Sequence, residues 1–394
     1  MIRRFLFTLI ALSLLTSYAV AQGQESTEGL AMQAARAKMM TVRGRKIAYT
    51  KKFDVSSLPH YQPKQKVSGT IRLWGSNYIT DGFIGGYWEA AFKKYHPEAK
   101  FDFQMKTTLA AVPSLVFGAS DIGIGRKITF SEQEMFERYK DRPPVEIELA
   151  TGSYDVPGWQ PGYGIVVHKD NPLAQLTMKQ LDGIFGAERA GGWEGTSWRP
   201  NWSRGPEGNI RTWGQLGLTG EWADKPINVY GLNLRYHQAT EISDTILKGS
   251  DKWNEHLRIY ANYVSAEGKL ERGLNEDLAK DRFGIAYIAA PTVNLGGQGA
   301  QPELKVLKIA EKDGGPFVPY SLETLQDRSY PLYSRVYAYV DRAPGKPMDP
   351  NVLEFLRFVL SQEGQAEIMR DGKYLPLTAG VVNAQLKKLE DAAK

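Results

Sequence analysis

From Gly69 onward the hydropathy pattern alternates between two periods, and this alternation restricts the fold more than any other feature. "TIRLW" (70–74) has the residue types of a strand. Phe83, Tyr87, Trp88, Ala91, Phe92 and Tyr95 then recur at helical spacing and predict an amphipathic helix. "HPE" turns the chain, and "KFDFQM" alternates Phe101, Phe103 and Met105 as a strand does. A short helical stretch to Phe117 and the apolar strand "DIGIG" (121–125) follow. Strand, helix, strand, helix, strand is the order of a parallel sheet with covering helices, so the fold class is α/β.

The pattern resumes beyond "VEIELATGSYDVPGWQPGYGIVVH", where two strand-like runs flank Pro157, Gly158 and Pro161. This segment is read as the crossing from one α/β unit into a second. "LTMKQLDGIFG" is helical, "INVYG" and "FGIAYIA" are strands, and a helix covers Ile242–Leu247. Between them lies a Gly- and Trp-rich surface loop, 191–204, with Trp193, Trp198 and Trp202. Its indoles offer either packing onto the domain or stacking on sugars or partners. "YSRVYAYV" is the last strand. "DPNVLEFLRFVLSQEG" is a helix with Asp349 as N-cap, Pro350 at its first position and Gly364 near its end.

The first 21 residues have Arg3 and Arg4, an apolar run and Ala19-Val20-Ala21, the order of a cleavable signal peptide. The apolar run is too short to span a bilayer, which needs roughly 20 residues. Residues 22–66 are expected to be a partly ordered extension on the outside, with a helix over Leu30–Met40. The chain has no cysteine, which excludes disulfides, a thiol nucleophile and lipid anchoring through an N-terminal cysteine. After cleavage 47 Lys and Arg face 44 Asp and Glu, a net charge of +3 too mild and too dispersed for nucleic acid as the main partner.

Catalytic signatures are missing. The five histidines are scattered, and neither a nucleophile elbow nor a phosphate-binding P-loop occurs. No catalytic residue, metal ligand or cofactor is assigned, and the chain is expected not to be an enzyme. What recurs is small polar residues where a strand hands over to a helix: Gly75-Ser76-Asn77 and Thr107-Thr108, with Arg126 just after "DIGIG". Each is an ordinary helix cap by itself. Together they predict strand ends where free N–H groups and the helix dipole can hold an oxyanion, Arg126 adding a charge-assisted contact.

Laid out this way, the chain resembles the substrate-binding proteins of phosphate ABC transporters. The resemblance runs from about Ser68 to Leu377, on "GSNYITDGFIGGYWEAAFKKYHP", "GASDIGIGRKITFSEQE", "GIVVHKDNPLAQLTMKQLDGIFG", "DRFGIAYI" and "YPLYSRVYAYVDRAPGKPMDPNVLEFLRFVLSQEGQ". It implies a two-lobed type II periplasmic-binding-protein fold, each lobe a mixed, mostly parallel sheet covered by helices, joined by two crossing strands. On that reading 67–156 is the first lobe, 157–316 the second, and 317–394 returns to the first. The family's first binding turn matches Gly75, Ser76, Asn77 and Tyr78. Its second matches Thr107 and Thr108, with Lys106 in place of a glycine. Where the family commonly has an aspartate that accepts the ligand's proton, this chain has Arg126. Its fourth motif, Arg followed by Ser-Gly-Thr, corresponds to Asn233, Arg235 and Tyr236, with His237-Gln238 beyond.

The resemblance implies an extracytoplasmic, monomeric protein, periplasmic or secreted, that captures an oxyanion, phosphate by family default, for an ABC permease of the inner membrane. Arg126 in place of an acceptor favours a fully ionised or larger ligand. The alternative is a two-lobed sensor or interaction protein that binds another anion or no phosphate.

Overall fold

The computed structural model describes residues 27–45, 49–156, 158–290 and 302–393. The expected signal peptide and Pro157 lie outside the described residues. The chain divides into two compact units. The smaller comprises the described residues up to Val42 together with Asn262–Arg272. It contains most of a helix, Thr27–Gly44, longer at both ends than the expected Leu30–Met40, and a hairpin pairing Tyr263–Val264 with Leu270–Glu271.

The larger unit, Arg43–Ala261 with Gly273–Lys394, is built on two five-stranded sheets. Their ten strands are β1 Gly69–Gly75, β2 Ala99–Gln104, β3 Ile122–Gly125, β4 Val145–Thr151, β5 Tyr163–His168, β6 Asn228–Leu232, β7 Arg258–Tyr260, β8 Gly284–Ala289, β9 Leu304–Val306 and β10 Arg335–Val340. The first lobe has the order β2-β1-β3-β10-β4, the second β7-β6-β8-β5-β9. In each sheet four strands run one way and one is reversed: β10 lies antiparallel between β3 and β4, β5 between β8 and β9. Each reversed strand is the first that the chain lays down after crossing from the other lobe. A chain arriving across the boundary enters its sheet from the opposite end, so the reversal follows from the connection. This is the mixed, mostly parallel architecture the sequence implies.

The elements follow their residue patterns with two corrections. The helix Ile84–Phe92 buries Ile84, Trp88, Ala91 and Phe92, whereas Phe83 and Tyr95, expected on the same face, are exposed. The inward stripe is therefore rotated toward Ile84, which packs with Trp88 at i, i+4. The helix expected over Asp349–Gly364 is two helices, Pro350–Val359 and Gln362–Asp371. Asp349 does cap the first, its Oδ1 accepting from Asn351 and Val352 N–H. Ser361 caps the second, its Oγ accepting from Gly364 N–H at 3.3 Å. Gly364 is thus a first-turn residue, and a Cβ there would meet Phe358 O at 2.2 Å.

Residues 49–66 form no helix or strand, but they do more than lie on the outside: Tyr49, Leu58 and Tyr61 are buried. Tyr49 donates its hydroxyl to Tyr374 O. Tyr61 donates to Glu354 Oε2 at 2.7 Å and lies 2.7 Å from His96 Nε2. His96 Nδ1 accepts from Val67 N–H, so its proton sits on Nε2 and points to Tyr61.

Candidate ligand cleft

β1 ends on Gly75 at φ 139°, where an added Cβ would meet Ile124 O at 2.0 Å. Only glycine lets β1 and β3 approach this closely while the backbone turns away. Ser76 N–H then donates to Ile124 O at 2.8 Å, fixing the serine at the carboxyl edge of the two strands. Its side chain has no exposed surface, and its hydroxyl makes no hydrogen bond of normal geometry, its polar neighbour being the Tyr374 hydroxyl. Asn77 precedes the short helix Tyr78–Asp81, and its Nδ2 donates to Asp81 Oδ2. Tyr78 is buried, its ring 5.0 Å from that of Trp159 on the first crossing segment.

Thr107 serves as a cap, its hydroxyl accepting from Leu109 N–H at 3.4 Å. Thr108 opens the turn Thr108–Ala110 and lies against the end of β3, its Cβ 3.7 Å from where a Cβ on Gly125 would stand. Gly75, Ser76, Thr108 and Arg126 are therefore gathered at one sheet edge.

Arg126 differs from the expectation of a contact open to a ligand. It is buried, and Glu132 takes its Nη1 at 3.0 Å and its Nη2 at 3.4 Å. The same carboxylate accepts Thr129 N–H and Oγ1, each at 2.8 Å, completing the capping box of the helix Phe130–Lys140. A carboxylate needed by the helix end thus also neutralises the arginine. Only Nε is left without a partner. Tyr339 of β10 steadies the loop by donating to Arg126 O and accepting from Ile128 N–H, both at 3.0 Å.

In the second lobe Asn233 Oδ1 accepts Arg235 N–H at 3.0 Å, a local turn that leads through Tyr236 into the helix His237–Ile246. Arg235 is exposed, and its guanidinium pairs with no described residue.

Four groups that sequence reading missed lie near this edge. Glu241, on the same helix, receives Tyr163 OH at 2.5 Å and lies 3.5 Å from Ser334 Oγ. Burial pushes its carboxyl up to about 7, with the Tyr163 hydrogen bond and the Arg126 charge opposing the rise and Asp244 adding to it. Asp244 is pushed up to about 6 by burial against the pull of Lys127 and Arg126. Glu241 and Asp244 of the second lobe thus lie within electrostatic reach of Arg126, and Asp244 also of Lys127, with Glu241 half-buried and Asp244 exposed. Gln160, on the crossing segment, is buried with both amide atoms lacking a protein partner. Tyr374 OH is buried beside Ser76 Oγ without a hydrogen bond of normal geometry, and burial raises its phenol far above the ordinary value. Among the described residues no cluster of three or more His, Asp or Glu is placed to hold a metal ion.

Residues 62–363 match the family model described as a PBP superfamily domain. The phosphate-binding protein PstS of Pseudomonas aeruginosa is 30% identical over 337 residues, covering 84% of this chain and 91% of that protein. Solved structures that align include a possible phosphate-binding protein from Planctomyces limnophilus, at 20% identity, 84% and 100% coverage of the two chains and a TM-score of 0.45. Another is an ABC-type phosphate transport receptor from Vibrio cholerae, at 17% identity, 77% and 99% coverage and a TM-score of 0.46. The chain belongs to the phosphate ABC-transporter substrate-binding protein family within the PBP superfamily.

Proposed function

We propose that this chain is an extracytoplasmic solute-binding protein that captures an inorganic oxyanion, phosphate, between its lobes for an ABC permease. The observation that carries the reading is Ser76: a hydroxyl with no exposed surface and no hydrogen bond of normal geometry, its polar neighbour being Tyr374 OH, at the strand edge where Thr108 and Arg126 also meet. A buried polar group without a partner costs about 1–3 kcal/mol, which a ligand oxygen would recover. Tyr374 OH, Gln160 and Arg126 Nε add further unpaired donors. Gly75, Ser76, Asn77, Tyr78, Thr108 and Arg126 form the first-lobe wall, with Thr107 a supporting cap. Glu241 stands on the facing wall, and Asn233, Arg235 and Tyr236 are the further second-lobe candidates for contact with the ligand.

The lobe boundaries fall near 156/157 and 316/317. The protein works as a monomer in the periplasm after signal-peptide removal and catalyses no reaction. No helix among the described residues is long and apolar enough to cross a membrane, which suits that location. Calorimetric titration of the mature protein tests the reading. Saturable heat with phosphate, at one site per chain, is expected. No heat, and no rise in the unfolding midpoint at millimolar phosphate, would overturn it.

A further inference from the structure

The tryptophan-rich loop plays no part in the cleft wall described above, yet its tip touches the opposite lobe. It is a hairpin, Gly192–Glu194 paired with Ser197–Arg199. Its root belongs to the second lobe: Trp193 N–H donates to Lys248 O at 2.8 Å, and a Cβ on Gly192 would meet that carbonyl at 2.3 Å. The tip lies on the first-lobe helix Phe130–Lys140. Thr196 Oγ1 is 2.9 and 3.1 Å from the two carboxylate oxygens of Glu137. Gln133 Nε2 donates to Glu137 Oε1 at 2.7 Å and reaches Thr196 Oγ1 at 3.4 Å. Gly195, at φ 58°, turns the tip so closely over Gln133 that a Cβ would stand 2.8 Å from its Oε1. Alongside, the Trp193 ring meets Phe130 edge-on at 5.0 Å, and Trp198 braces Trp193 at 5.1 Å.

We infer that the hairpin 192–199 is a strap that fastens the second lobe to the first when the cleft is closed, and so sets how fast a trapped ligand leaves. The crossing segments hold the lobes covalently; the strap adds a tether made only of side-chain contacts between residues about 60 positions apart in sequence. A contact made in the closed form and absent from the open one shifts the population toward closure by its own free energy. These contacts are few and partly wetted: Phe130, Trp193 and Trp198 are each between 37% and 45% exposed. A tether of that kind opens readily, as a reversible latch must. It also grips the helix whose Glu132 holds Arg126, so releasing the strap frees the wall that carries the arginine.

The structural part of this inference stands without the phosphate reading; only its kinetic part rests on it. The native chain has no cysteine, so single cysteines introduced on an exposed site of each lobe give an unambiguous dye pair. Interlobe distance by energy transfer, and phosphate release by stopped flow, are compared for the wild type, the Trp193→Ala/Thr196→Val double variant, and Glu137→Ala, which cuts the contact from the other lobe. Both variants are expected to populate a longer interlobe distance and to release phosphate faster: about tenfold for the double variant, which loses the aromatic pair and the charged hydrogen bond, and severalfold for Glu137→Ala, which loses the hydrogen bond alone. Should the double variant unfold, the single change on the first lobe still decides. Unchanged distances in folded variants overturn the strap whatever binds. A wild type that ignores phosphate overturns the functional reading and leaves the distance measurement to judge the strap.

Discussion

At Gly75 a single missing methylene group decides whether the cleft wall can exist. Its φ of 139° and the 2.0 Å approach to Ile124 O leave no room for a side chain. Gly75→Ala should cost roughly 2 kcal/mol or more in denaturant unfolding, and a loss below 0.5 kcal/mol would show that the strands relax around the methyl. Glu241 governs pH behaviour. Its ordinary value is 4.5 and its folded value about 7, so between those limits the native state binds more protons than the unfolded chain. Stability from this group is full below pH about 4.5 and is lost as pH rises through about 7, with Asp244 acting in the same direction. The groups facing Glu241 are Tyr163, Ser334, Arg126 and Asp244, and Lys127 and Arg126 face Asp244. Glu241→Gln should flatten the fall in unfolding midpoint between pH 5 and pH 8, and an undiminished fall would assign the effect elsewhere. Ser76 and Gly75 were legible in sequence because a strand end followed by a helix start is a local pattern. Gln160, Glu241 and Tyr374 were not, since nothing in their own neighbourhoods marks them, and they reach the cleft from segments far apart in the chain.

Among the elements, the broken C-terminal helix shows how a local rule can be right and incomplete. Asp349 and Pro350 start the first helix as their chemistry dictates. The apolar spacing continues through Val359–Leu360, so periodicity alone runs the helix on. Ser361 stops it by capping the next helix, and the two pack closely because Gly364 has no side chain: a Cβ would lie 2.6 Å from Val359 Cα. Trp88 Nε1 also donates to Gly364 O at 3.1 Å, which ties the pair to the helix Ile84–Phe92. Gly364→Ala, neutral or better for an isolated helix, should lose about 1–3 kcal/mol by forcing these helices apart. A stabilised variant in thermal unfolding would refute the packing argument.

On the scale of the whole molecule, the segment 49–66 and the C-terminal helices are held by a buried ionic network. Glu354, with no exposed surface, accepts from Tyr61 OH at 2.7 Å and Arg357 Nη1 at 2.7 Å, while Arg357 also pairs with Glu390 at 2.7 Å. Arg357→Met should therefore destabilise by roughly 3 kcal/mol, because it leaves the Glu354 carboxylate buried with its charge uncompensated. Unfolding followed in urea measures it, and a loss under 1 kcal/mol would mean that Tyr61 and the Lys64 N–H suffice.

The sequence by itself determined the alternation of strands and helices, the turn at Gly75–Ser76 and the caps at Thr107 and Asp349, since each depends on residues within a few positions of one another, and its resemblance to a known family implied the two lobes. Only the tertiary structure decided that Glu241 faces Arg126 from the other lobe and that the Trp193 hairpin reaches across to Phe130 and Glu137. Each of those depends on which side chains meet once two sheets have formed and been brought together. Such meetings are set by packing between distant segments, for which a linear pattern of hydropathy has no term.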